Sequence, residues 1–449
     1  MAFVSNQRRR KAASSKHGSN PLAQLEFTGL NGWVIGESKR DALPNEPYRI
    51  APGGCGRLKP SHSPLVILLG VLLIVGYGCS HLKTGSVSDE TAIQAALRQL
   101  QTKYAPIDHL GLYSVGVERS GNALVLTGKV DRAQAYSETI EAVRRITPKV
   151  QDKIKVLPEK ELGDRIWGIG CLSVASGREQ PEHKAEMGTQ VSMGGVVRVL
   201  QRNTNALWFL VQTADGYPAW LEKGTFYRCT LEEVRAWTNS PLLIVTAFES
   251  LLLELPQPDA QPVSDVVIAD LLKKTGQAGT WYKVELPDHR EGFLPMSTAE
   301  DFQRWQAQRK PTPANIERTA RTFLGRPYLW GGNSPKGFDC SGFTKTVFYL
   351  NGIDLGRNAS HQARQGVPIP LDGELSQLKA GDLLFFGRPD RGGRQQRIHH
   401  VAIYLGDKLF IHSSERVQIN SLDPNSPIRD ELRIRTLLGA RRILEADRP

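Results

Sequence analysis

Apolar and polar positions recur along this chain with two different periods. In TAIQAALRQLQTKY, Ile93, Ala96, Leu97 and Leu100 fall at helical spacing and predict an amphipathic helix. LGLYSVGVERSGNALVLTGKV then reads as two strands around a Ser-Gly-Asn turn. RAQAYSETIEAVRRI returns to the helical period, with Asp131 as its cap and Pro148 as its stop, and VQDKIKVL closes as a strand. From Leu162 the texture shifts to short period-two runs. GGVVRVLQRNTNALWFLVQTADGYPAWLEKG carries Asn and Asp-Gly turns, and VVIADLLKKTGQAGTWYKVELPDHREGFLPMS repeats its layout. In each, an aromatic pair (Trp208-Phe209, Trp281-Tyr282) precedes a Gly-aromatic strand (Gly216-Tyr217, Gly292-Phe293), which predicts small barrels. LEEVRAW reads as a short connecting helix and RKPTPAN, from Arg309, as a proline-bearing linker. Beyond Ile316, one helix ends at Gly325 and another, SGFTKTVFYLNG, is stopped by Gly352. GDLLFFG is a strand and RIHHVAIYLGDKLFIHSS a hairpin.

The β-β-α-β unit over 89–160 resembles the BON domain of bacterial envelope proteins, through VLTGKVDRAQAYSETIEAVRRI. That resemblance implies contact with phospholipid surfaces; a plain spacer is the alternative. The segments 162–238 and 240–300 resemble two tandem bacterial SH3-like domains, with their aromatic pairs read as core residues.

Charge changes the picture at the N-terminus. Residues 1–63 hold ten Lys/Arg against four Asp/Glu, so most of the net +11 lies in a basic, disordered tail. The remaining excess is too diffuse to indicate nucleic acid as a partner. PLVILLGVLLIVGYGCS, 64–80, is shorter than the ~20 apolar residues of a spanning helix and reads as an export signal. Its Gly78-Cys79 junction resembles a bacterial lipoprotein cleavage site, with Cys79 the acylated residue, although Gly76 and Tyr77 depart from that pattern. An uncleaved signal anchor is the alternative. Both readings put the chain in the cell envelope, exported and membrane-tethered, on the periplasmic side. Of the five cysteines, Cys55 would leave with a cleaved signal, Cys171 and Cys229 could pair or stay thiols, and Cys340 is left over.

Cys340 opens the helix of FDCSGFTKTVFYLNG. Unpaired N–H groups at a helix start favour negative charge, which would lower a thiol pKa and supply the nucleophilic thiolate. Small Ser341 and Gly342 would leave room for a substrate, and Asp339 suits an N-cap. The base must come from elsewhere in the sequence. His400 and His412 share a face of the predicted hairpin if its loop is the three residues Gly406-Asp407-Lys408; a two-residue loop would separate them. His399 then faces away.

PYLWGG, DCSGF, GDLLFF, HHVAIYLG and FIHSS, in this order, closely resemble the NlpC-type cell-wall cysteine peptidases. The resemblance implies a papain-like α+β domain over 312–446, a Cys340-His400-His412 triad, and an oxyanion met by the Cys340 N–H and Tyr328. With two SH3-like domains alongside, YLWGGNSPKGFDCSGFTKTVFYLNG resembles the branch that cleaves γ-D-glutamyl-L-diamino-acid bonds in murein stem peptides with a free L-Ala end. In that branch the first SH3-like domain walls the site. The resemblance carries substrate contact to Tyr328, Trp330, Asp339, Ser341, Arg357 and Tyr217, with Asp339 on the substrate ammonium. Two departures stand out: Asn358 and Ala359 in GRNAS replace an acidic residue and a hydroxyl or small one, and Gln180 stands where a glutamate is expected.

The chain is thus expected to be a multidomain α+β protein that hydrolyses the γ-D-glutamyl to meso-diaminopimelate bond of peptidoglycan, with no metal and no organic cofactor. The rivals are a wall- or membrane-binding adaptor with an idle triad, and a transferase using the same thioester chemistry.

Overall fold

The computed structural model describes residues 26–27, 33–34, 85–106, 109–121, 123–389 and 397–444. The basic tail, the 64–80 segment and Cys79 lie outside them. Among the described residues no helix is long and apolar enough to cross a membrane.

The first unit follows its periodicity. Helix α1 (Gly85–Tyr104) buries Ile93 and Leu97, β1 (Tyr113–Ser120) pairs antiparallel with β2 (Ala123–Val130), and α2 (Ala133–Ile146) crosses over to β3 (Val150–Val156), parallel to β2. Asp131 does not cap α2. It is buried, and its Oδ2 accepts from the Leu112 N–H at 3.1 Å and from Gln212 Nε2 at 3.3 Å. The carboxylate therefore ties this unit to the next sheet.

Two seven-stranded sheets follow. Across the first run Phe226–Cys229, Trp167–Gly170, Val196–Arg202, Trp208–Gln212, Pro218–Glu222, Val174–Arg178 and Met187–Ser192. The second, read from Ala299–Asp301 to Pro262–Val267, has the same order: seventh strand, first, fourth, fifth, sixth, second, third. The repeated layout seen in the sequence is thus a repeated topology. Neither sheet closes into the expected barrel. The open edge Met187–Ser192 is instead covered by a loop of the last unit, where the Asn333 N–H donates to Gln190 Oε1 (2.9 Å) and Asn333 Nδ2 to the Gln190 carbonyl (3.2 Å). Cys171 and Cys229 are buried free thiols, each pushed up to about 12 by burial. Helix α3 (Leu231–Thr238) links the sheets with a complete capping box at Thr230 and Glu233, and α4 (Phe302–Gln308) follows the second.

In the last unit, α5 (Pro313–Thr322) precedes α6 (Cys340–Leu350), α7 (Ala359–Gln362) and a six-stranded sheet. The sheet order is β4 (Val367–Ile369), β9 (Leu437–Arg442), β5 (Leu383–Arg388), β6 (Arg397–Gly406), β7 (Leu409–Ser414) and β8 (Arg416–Ser421), with α8 (Glu431–Thr436) leading into β9. Helix α6 buries Phe343, Val347 and Phe348 in one core with Phe338, Phe385, Val401 and Ile411. Each such side chain contributes about 1.5–3 kcal/mol by leaving water, which fixes the helix start over the sheet.

Candidate active site

Cys340 is the first residue of α6. Asp339, in extended conformation before it, caps the helix by accepting from the Gly342 N–H at 2.6 Å. Gly342 does not make room for a substrate. A Cβ there would lie 2.0 Å from the Gly332 carbonyl oxygen, so this glycine lets the WGG loop cross the helix start. Gly331, at φ +73°, approaches Met187 on the first sheet as closely, with a Cβ 2.2 Å from its carbonyl. The WGG and SGF residues are therefore packing devices that fix the thiol relative to the first sheet. Ser413 Oγ, donating to the Phe338 carbonyl at 2.8 Å, ties the same stretch to β7.

His400 on β6 and His412 on β7 share a buried face, with ring nitrogens Nε2 and Nδ1 2.8 Å apart. Their hairpin is not the expected one. Its turn is the two residues Asp407-Lys408, both at positive φ, which alone would put the imidazoles on opposite faces. A bulge at Leu405 restores the parity: Gly406 pairs with Leu409, but Tyr404 pairs with Phe410 and Ile403 with Ile411. His399 is exposed, as alternation requires.

The sequence reading missed Asn420. On β8, its Nδ2 donates to the Ile428 carbonyl at 3.1 Å, which turns Oδ1 toward His412 Nε2 at 3.0 Å. An amide oxygen accepts only, so His412 carries its proton on Nε2 and its Nδ1 is an acceptor. His400 Nε2–H then donates to it, and His400 Nδ1 keeps the lone pair. The second hairpin carried the signal: His412 pairs with Gln418, and Asn420 shares that parity.

Electrostatics correct one expectation. Burial pushes the Cys340 thiol up to about 11, with Asp339 adding to it; the Val401 N–H, Arg357 and the Ser341 N–H pull it down and lose. Burial likewise holds His400 well below its usual value, helped by Arg433 and His412, and brings His412 down to about 4 against the Asn420 hydrogen bond. Burial therefore favours the neutral thiol and the neutral imidazoles alike. Helix-start N–H groups oppose desolvation of the sulfur but do not overcome it.

The remaining predicted residues divide in two. Asp339, Ser341 and Arg357 are buried together. Arg357 Nη2 donates to Asp339 Oδ2 (2.5 Å), Nη1 to Asp339 Oδ1 (3.1 Å) and Ser341 Oγ (3.2 Å), and Nε to Thr189 Oγ1 (3.1 Å). These contacts consume Arg357 and neutralise Asp339, so the pair locks α6 to the first sheet, and Asp339 is not left for an ammonium. Tyr328, half-buried, senses the charges of Cys340, Asp339, Arg357 and Arg433, and Trp330 is 59% exposed. Tyr217 stacks on His109 of the first unit, ring centroids 4.9 Å apart, and Glu179 lies 3.7 Å from the same imidazole. Glu179 also acts electrostatically on Tyr217, so a carboxylate stands beside Gln180 where the sequence seemed to lack one. Among the described residues no group of three or more His, Cys, Asp or Glu could hold a metal.

This geometry has relatives. The NlpC/P60 family profile matches residues 325–435, and that of the bacterial dipeptidyl-peptidase Sh3 domain matches 177–224. The chain is 32% identical over 267 residues to the gamma-D-glutamyl-L-lysine dipeptidyl-peptidase of Bacillus cereus, across 57% of this chain and 75% of that one. It belongs to the NlpC/P60 family. The Bacillus subtilis protein of the same name is 47% identical over 198 residues, 44% of this chain and 60% of its own length. The crystal structure of a Bacillus cereus NlpC/P60 family protein superposes with a TM-score of 0.52 at 26% identity, over 62% of this chain and 99% of that one.

Proposed function

We propose that the chain is a peptidoglycan hydrolase that cleaves the γ-D-glutamyl to meso-diaminopimelate bond of stem peptides, with Cys340 as nucleophile, His400 as base and His412 as its orienting partner. The relay from the Ile428 carbonyl through Asn420 and His412, which leaves a lone pair on His400 Nδ1, is the observation that carries this reading. Because thiol and imidazole are both neutral at rest, proton transfer accompanies attack. His400 Nδ1 takes the thiol proton as Sγ bonds to the γ-carbonyl carbon. The displaced electron pair rests on the oxygen, which the Cys340 N–H and the Tyr328 hydroxyl receive. Collapse expels the diamino acid's amine, which takes the proton from His400. Water, deprotonated by the same nitrogen, then opens the thioester and releases the γ-carboxylic acid and the thiol.

Glu179 takes the substrate's free ammonium in this reading, in place of Asp339, with Trp330 lining that end and Tyr217, buried against His109, supporting it from behind. The second sheet is read as a second SH3-like domain on the strength of its identical strand order. The first unit is read as BON-like and as the part that meets phospholipid, with Cys79 or the 64–80 segment holding the chain at the envelope membrane.

Incubation with L-Ala-γ-D-Glu-meso-diaminopimelate, with and without an acetylated N-terminus, followed by mass spectrometry, tests the reading. Release of diaminopimelate from the free peptide, lost in Cys340→Ala, is expected. No release, or full activity in Cys340→Ala, defeats it; equal rates on both peptides remove the free-amine preference alone.

A further inference from the structure

Two guanidinium groups act on the thiol, and only one is hydrogen-bonded to a carboxylate. Arg357, on the first-sheet side, has every nitrogen engaged and acts electrostatically with Asp339, Asp215 and Tyr217. Arg433 reaches in from α8 on the other side. Its guanidinium lies 5.6 Å from the centroid of the Phe386 ring, and that ring lies 5.8 Å from the His400 imidazole. Arg433 is only 7% exposed, yet its Nε donates to nothing. The nearest carboxylate oxygen, Asp430 Oδ2, is 3.8 Å away, and Oδ1 of the same group is occupied capping α8 through the Arg433 N–H at 3.0 Å. A buried cation without a hydrogen-bonded anion is costly and is tolerated where a partner arrives with a ligand. The Phe386 ring thus neighbours both this guanidinium and the His400 imidazole, and Cys340, Tyr328, His400 and His412 all sense the charge.

We propose that Arg433 is the specificity residue for the leaving group, and that it receives the side-chain carboxylate of a diaminopimelate-type diamino acid. This rests on the proposed function and deepens it. The substrate's amino end is assigned to the first-sheet side, so the expelled residue lies toward Arg433. The leaving residue's main-chain carboxyl is an amide in longer stems and is common to lysine and diaminopimelate. The side-chain carboxylate is what distinguishes them. A guanidinium whose Nε–H lacks an acceptor can bind it by a charge-assisted hydrogen bond, and the same charge repels the bare ammonium of lysine. The chain would therefore prefer diaminopimelate stems, although the relatives reported above are named for a lysine bond.

The full chain is assayed on L-Ala-γ-D-Glu-meso-diaminopimelate and L-Ala-γ-D-Glu-L-lysine, reading kcat/KM for each. The expected result is a preference of about tenfold or more for the diaminopimelate peptide. Arg433→Gln and Arg433→Met, the latter keeping an apolar stem over Phe386, should bring the ratio of the two rates down to about one, whatever common change the loss of the charge brings to both. Arg433→Lys should keep part of the preference. Equal wild-type rates, or variants that slow both peptides alike, overturn the inference while leaving the hydrolase reading intact. Cleavage of neither peptide by the wild type defeats the hydrolase reading itself.

Discussion

Asn420 sets the direction in which protons can move at this site. Its amide is held by the Ile428 carbonyl, so it offers His412 an oxygen and fixes the tautomer of both imidazoles. Asn420→Leu should leave the His412 Nε2–H without an acceptor, a loss of about 1–3 kcal/mol, and lower kcat about tenfold or more while KM moves little. Steady-state kinetics on the free-amine peptide would measure it; a variant affecting only KM would refute the role. The thiol supplies a second test. A preformed ion pair would react with iodoacetamide at a nearly constant rate from mildly acid pH upward. With the thiol pushed up to about 11 and His400 held neutral, the inactivation rate should instead keep climbing above pH 8. A plateau below pH 7 would show that the thiolate is already present.

At the scale of the element, the hairpin β6–β7 holds the site through an irregularity. The turn is one residue too short for the parity that chemistry needs, and the Leu405 bulge supplies the missing residue. Removing Leu405 should turn His412 away from His400 and abolish turnover, with the two-residue turn left intact; an active deletion variant would show that parity is not what aligns the rings. Both imidazoles are buried and their pKa values depressed, so the unfolded chain binds protons that the folded one refuses. Stability is then full above the unfolded value near 6.5 and falls as pH drops toward 4. For His412 alone the loss is on the order of 3 kcal/mol, at about 1.4 kcal/mol per pKa unit. Asp270, buried and raised well above its usual value, works in the opposite sense, so the difference in Tm between wild type and His412→Asn across this window isolates the histidine. The same hairpin marks what was legible. Period-two alternation put each histidine on a strand, but it set them on one face only through a three-residue loop that the structure lacks, whereas helical spacing did place Cys340 at a helix start. The bulge was not legible, because VAIYLGDKLF scans equally well with a turn of either length. Nor did charge pattern reveal that Arg357 and Asp339 spend themselves on each other, since that pairing joins residues 18 apart across helix α6 and the segment after it.

At the scale of the whole molecule, the proposed reading has the first sheet and the first unit shape the cleft together. Asp215, beside the Gly216 turn, pairs with Lys345 of α6 at 3.2 Å, and Lys345 also donates to the Leu355 carbonyl at 2.7 Å. The turn before Tyr217 is thereby pinned to the helix that carries the thiol. Buried Tyr217 stacks on His109, so in that reading the wall has two layers drawn from different units. Glu179 lies exposed beside this stack, and the proposed reading has it hold the ammonium of a peptide that the wall keeps short. Glu179→Gln should therefore raise KM for the free-amine peptide about fivefold, the scale of a partly solvated ion pair, and leave the acetylated peptide unchanged. His109→Ala should act on both peptides, because it removes a layer of the wall and no charge specific to the amine. Parallel kinetics on the two peptides separate these effects. If Glu179→Gln slowed the acetylated peptide as much as the free one, the carboxylate would be supporting the wall, and amine selection would have to come from another group in the cleft.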